Sequence, residues 1–414
     1  MDSSLRRWLQ ISFLNLLIVS LLGVTLRYKI AFSFPYLDQK HLLHGHSHFA
    51  FAGWITQALM VLLVQYLSQH KGAIAYKDYR WLLIGNCITA YGMLIFFPLQ
   101  GYGLGSITFS TLSIIVSYFF AIKYWKDLNA LFYKSTSHYW FKAALLFSAI
   151  SSIGAFSLAF MMATKTMHQT WYLAAVYFFL HFQYNGWFFF AGMGLLVSKL
   201  ENQFSTDKQL KLIFWLFCLA CIPAYFLSAL WMPIPIFIYL IVIGAAIAQV
   251  IGWALLVRLL FTNKAIIQTA FKERGRKLLL LAGIALTIKL LLQLGSTHPA
   301  LSQLAFGFRP IVIGYLHLVL LGVITIFILG YIISMEFIAT QKYFMIGIWI
   351  FISGIVINEM LLMLQGTLGL SYVIVPFINE FLLATAIIMF GGILLFNLTG
   401  SKKRVKKKYA KIFF

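Results

Sequence analysis

Acidic residues are scarce in this chain: 10 Asp and Glu among 414 residues, against 32 Lys and Arg. Charged residues of both signs reach only 10% of the total. A soluble domain of this size needs far more polar surface, so that class is excluded. The three cysteines, Cys87, Cys218 and Cys221, all lie within apolar runs, which excludes an extracellular disulfide framework. Long loops are missing too. The longest, near 29–41, 124–140 and 262–276, are too short to fold alone, so residues 1–414 are expected to form a single transmembrane domain with a basic tail at 399–414.

What is present is apolar surface, at 62% of the residues. Runs long enough to cross a bilayer recur along the whole length. They predict an all-α polytopic bundle of about 12 spans, near 8–28, 42–66, 81–98, 104–123, 141–163, 171–198, 211–231, 235–261, 277–295, 309–333, 342–365 and 371–396. Arg6 and Arg7 precede the first run, and no small-residue cleavage site closes it, so it is expected to stay in the membrane.

The distribution of cations tests this reading. With the N-terminus inside and sides alternating, 26 of the 32 Lys and Arg fall on the cytoplasmic side. That bias requires an even number of spans and places both termini in the cytoplasm. It predicts a multi-pass protein of the cell inner (cytoplasmic) membrane. The net charge of +22 then faces anionic lipid rather than nucleic acid.

Depth is the informative coordinate for the polar residues. At 1.5 Å rise per residue, His48, His181, His317, Glu359, Glu380 and Lys289 all fall about 10–15 Å below the outer surface. Ionisable groups at that depth are costly and face a bundle interior or a cavity. The densest feature is His41-Leu-Leu-His44-Gly-His46-Ser-His48, which leads into Ala50, Ala52, Gly53 and Trp54. His41, His44 and His48 share one helix face. His46 stands about 200° from His48 and addresses different neighbours. His41 and His44 suit either ligation or the headgroup layer, whereas His168, His298, His70 and His138 read as surface residues.

Neutral imidazole is the usual nitrogen ligand of haem iron and copper. His44, His46, His48 and His317 are therefore candidate haem ligands, and His181, His48 and His317 candidate metal ligands. Glu359, Glu380, Lys289, Tyr184 and Asn185 are candidate hydrogen-bonding or proton-handling partners. Cys218 and Cys221 share a face and suit Cu(I) or plain packing.

The run from Tyr36 to Trp54, the twelve expected spans and the inside termini resemble subunit I of the haem-copper oxidase superfamily, as in cytochrome c oxidase. The resemblance implies an axial haem histidine at His46 or His48, a tenth-span haem ligand at His317 and a sixth-span copper ligand at His181. It also implies electron transfer to a small gaseous oxidant, oxygen or nitric oxide, and a cytochrome or other electron-transfer subunit as partner. The chain departs from the family in lacking the adjacent histidines of the seventh span and in carrying one histidine, not two, on the tenth. A single bis-histidine haem therefore needs fewer assumptions than a haem-copper centre. The alternative from the residues alone is an intramembrane His/Glu transporter of metal ions or protons, without haem.

Overall fold

The computed structural model describes residues 3–72, 74–201, 203, 207–301, 308–338 and 340–400. The basic tail beyond 400 lies outside them. Twelve long helices follow in order: α1 Ser3–Ala31, α2 Gln39–Lys71, α3 Ile74–Gln100, α4 Leu104–Asn129, α5 Thr136–Ala163, α6 169–198 and α7 Asp207–Cys221. Then come α8 Ile236–Thr262, α9 Glu273–Gly295, α10 Arg309–Ser334, α11 Lys342–Leu370 and α12 Ile378–Gly400. No strand occurs among the described residues. The chain is an all-α polytopic bundle, as its composition requires.

The number of crossing helices differs from the twelve expected. Ten are long and apolar enough to cross a membrane, or up to eleven if the bent pair 208–229 is one span. Two local causes account for the difference. Pro223 removes a backbone donor after α7, and the chain bends by 45° into a 3-10 segment, Pro223–Ala229. In α6, His181, Gln183, Tyr184 and Asn185 interrupt an otherwise apolar helix.

Successive helices pack on one another, and α1 closes the ring against α12. The centre of the bundle is α2, with 89% of its apolar stretch buried, against 11% for the peripheral α4. Leu104, Phe119 and Ile122 on α4 are exposed, as a lipid-facing surface requires. Lipid gives apolar faces no reason to leave it, so helix association depends on close backbone approach. The α11–α12 contact supplies it: a Cβ on Gly347 would lie 2.7 Å from the Gly392 carbonyl, and one on Gly392 would lie 2.6 Å from the Phe351 amide.

Three π-helical segments interrupt the α-helices: Ala50–Thr56 in α2, Phe182–Phe188 in α6 and Leu318–Thr325 in α10. The second follows His181 directly, the third follows His317 directly, and the first begins two residues after His48. Wide turns free backbone carbonyls, and single-turn π segments gather at functional sites. Side chains take up two of these carbonyls. Asn15 Nδ2 donates to Gly53 O at 2.6 Å, and Asn86 Nδ2 donates to Ala52 O at 3.0 Å. The segments are also tied to one another, since Trp54 Nε1 donates to Thr325 Oγ1 at 3.0 Å and Trp187 Nε1 to Thr56 Oγ1 at 3.3 Å.

Candidate functional site

Asp38 starts α2. Its carboxylate accepts from the backbone N–H of Lys40 and His41 at 2.8 and 2.9 Å, an N-cap that fixes the entry of the histidine run. The His41 amide in particular holds the Asp38 carboxyl below the usual carboxylate range. The face shared by His41, His44 and His48 turns toward α3 and the turn after it. His48 stacks on Phe97 with ring centroids 4.2 Å apart, and His44 meets the edge of Tyr102 at 4.7 Å. Gly101, at φ 60°, lets the chain pass His41, whose Nε2 would lie 2.4 Å from a Cβ there.

His46 points the other way, toward α1. Its Nδ1–H donates to Val19 O at 3.1 Å, which leaves Nε2 with the free lone pair. His317 on α10 lies within electrostatic range of both His46 and Arg27. Its Nδ1 is buried without a hydrogen-bond partner among the described residues. Arg27 in turn faces Glu359 of α11 and Arg309 at the start of α10, while Asn358 Nδ2 donates to Glu359 Oε1 at 3.2 Å. Helices α1, α2, α10 and α11 thus carry two imidazoles, a guanidinium and a carboxylate within electrostatic range of one another.

His181 belongs to a second cluster. Its Nε2–H donates to Cys221 O at 2.8 Å, and Nδ1 accepts from Asn185 Nδ2 at 3.1 Å. Cys221 Sγ lies 4.0 Å from the same Nε2, and Cys218 is a free, half-buried thiol beside it in sequence. Lys289 of α9 completes the group, within electrostatic range of His181 and Cys221. Two small adjoining cavities border Lys289 and Asn185, and Tyr184 lines the second. Among the described residues, no three or more His, Cys, Asp or Glu side chains converge as a metal site would need.

The layer of six ionisable groups therefore resolves into two clusters and two outliers. His317 and Glu359 fall within one electrostatic cluster, which His46 from outside the layer joins, and His181 and Lys289 fall within another. His48 turns away to Phe97. Glu380 lies in the first turn of α12 and is exposed, because the chain before Ile378 runs through turns around Pro376 rather than continuing the helix. His138, expected at the surface, is 6% exposed, with Nε2 2.9 Å from the Tyr66 hydroxyl. His70 is exposed and hydrogen-bonds Tyr133 through its Nε2, and His168 and His298 are exposed.

Sequence reasoning missed Arg27, Asn15 and Asn86. Arg27, at the outer end of the first expected span, lies inside α1. The two asparagines stand alone in apolar runs, and that isolation was the available signal for a buried structural role. No protein-family model matches the chain, and no curated protein is detectably similar to it.

Proposed function

We propose that this chain is a haem-binding protein of the oxidase subunit I type, in which His46 and His317 would hold the iron. The observation that carries the proposal is the pairing of these two imidazoles from distant stretches of chain. The donor chemistry fits. His46 is oriented through Nδ1 by a backbone carbonyl, the usual device for aiming the other ring nitrogen at a metal. The unpartnered polar atom of His317 marks a side chain built for something besides packing.

Haem iron between two imidazoles supplies one-electron transfer. The chain's own residues orient and tune. Val19 fixes the tautomer of His46. Arg27 would offer a guanidinium to an acidic substituent of the cofactor, and Glu359, within electrostatic range of it, would be a group able to hold a proton there. The π segments beyond His46 and His317, tied by Trp54 and Thr325, set the spacing of the two helices.

The copper reading fits less well. His181 has both ring nitrogens engaged, and its nearest further donor is one thiol at 4.0 Å. A redox relay is therefore favoured over turnover of oxygen or nitric oxide at a second centre, with a cytochrome or similar subunit as electron partner. The charge bias of the loops supports the cytoplasmic membrane with both termini inside.

The test is a reduced-minus-oxidised spectrum and a quantitative haem assay on protein purified from haem-replete cells. Haem occupancy should drop at least tenfold in His46→Ala and in His317→Ala, and stay near wild type in His48→Ala and His70→Ala. A colourless wild-type preparation would sink the proposal and leave the His/Glu transporter.

A further inference from the structure

The geometry points to a binding site for a small monovalent anion at Lys289, in the cavities among α6, α8, α9 and α10. Lys289 is 5% exposed and borders both cavities. Among the described residues no hydrogen bond or ion pair reaches its Nζ. The groups electrostatically coupled to it are Cys221 and His181, and neither is a carboxylate. The i+4 neighbour gives no relief either, since Gln293 Oε1 is buried and itself unpartnered.

Two other amides, those of Gln249 and Asn185, present donors. Gln293 Nε2 donates to Gln249 Oε1 at 2.8 Å. That bond occupies the Gln249 oxygen and leaves its Nε2 hydrogens for the cavity that Gln249 lines. Asn185 gives one Nδ2 hydrogen to His181 Nδ1 at 3.1 Å and keeps the other. His181 is held as a neutral donor–acceptor by Cys221 O and Asn185, so it contributes no counter-charge. When Lys289 is protonated, its ammonium and two amide donors, with no acidic partner among the described residues, form a site short of one negative charge.

Size narrows the class. Each cavity has room for about one water-sized body, which suits a compact monatomic ion better than sulfate or an organic acid. Phe189 and Leu286 wall both cavities and favour a weakly hydrated ion over a strongly hydrated one. The inference stands apart from the haem proposal, because none of these residues belongs to the His46–His317 cluster.

The test is thermal unfolding of the purified full-length protein in detergent, in a gluconate background titrated with chloride, bromide or sulfate. A ligand that binds only the native state raises the melting temperature in a saturable way. Chloride and bromide should do so and sulfate should not, and Lys289→Met should lose the halide dependence. Wild-type crystals grown in bromide should show anomalous density within hydrogen-bond distance of Nζ, which decides the matter if the variant does not fold. A melting temperature indifferent to halide, a Lys289→Met protein that keeps the response, or bromide density confined to the surface would each overturn the inference.

Discussion

Thr325→Val tests whether the π segments of α2 and α10 are held by the bond between them. Trp54 is 1% exposed and Thr325 is fully buried, and the indole N–H donates to the hydroxyl at 3.0 Å. Valine keeps the volume and removes the acceptor. The indole N–H then has no partner and no water, which costs about 1–3 kcal/mol. Trp54→Phe fails differently. The Thr325 hydroxyl can turn back onto a carbonyl of its own helix, but the lost ring leaves a void worth about 1–3 kcal/mol. The double variant carries the void but no orphaned donor, so the two losses should fall short of additive by about 1 kcal/mol. Reversible unfolding in mixed micelles with rising SDS would measure all four proteins. Additivity within about 0.3 kcal/mol, or a Thr325→Val loss below that, would refute the claim that this bond couples the two helices.

Two further outcomes are expected. Gly392→Val should weaken the α11–α12 contact by about 3 kcal/mol or more, since the added Cβ meets the Phe351 amide at 2.6 Å. The loss should appear in the same SDS titration, while Gly391→Val, whose Cβ meets open space, should stay near wild type. Asp38→Ala should loosen the first turn of α2, seen as faster amide exchange at His41 and Leu42. The Asp38 carboxyl is held down in the folded chain, so its stabilisation is present above the unfolded value of about 3.9 and fades as pH falls through the lower folded value. Exchange at that turn should accelerate in the wild type only on acidification below about pH 4, and an acceleration that began near pH 6 would implicate a histidine instead.

Much of this architecture was legible because composition constrains it. Apolar runs of bilayer length can only be helices in lipid, and most predicted spans match helices to within several residues. The count went astray where the chain is least apolar. Polar residues in the middle of α6 and the bend at Pro223 are local chemistry that a hydropathy rule treats as noise. The expectation that these groups face the bundle interior holds for Lys289, which is buried, and not for Glu380, which is exposed because the helix does not run back through Pro376. The opposed directions of His46 and His48 could be read from their 200° offset, since both stand before the first π segment and ordinary helical phase holds there. What no periodicity could give was the partner on each side: that His46 meets α1 and His317, and that Arg27 joins them, depends on which helices the packing makes neighbours.

The position of the three π segments bears on why the histidines sit where they do. A π turn adds a residue without adding a turn, so it shifts the helix face by roughly 100° and leaves carbonyls unmatched. In water that cost is small; in hydrocarbon each unmatched carbonyl must find a donor. Here Asn15, Asn86, Trp54 and Trp187 are buried polar side chains whose hydrogen bonds serve these segments or link them. Four buried donors spent in this way make the distortions specified features rather than packing accidents. Helices α2, α6 and α10 each carry a histidine just before the distortion, and the distorted segments themselves interlock through Trp54–Thr325 and Trp187–Thr56. Regular helices would present those interlocking residues on other faces, and the imidazoles would lose their common frame. The distortions are therefore the physical means by which three distant stretches of chain hold their histidines at fixed positions, whichever group those histidines serve.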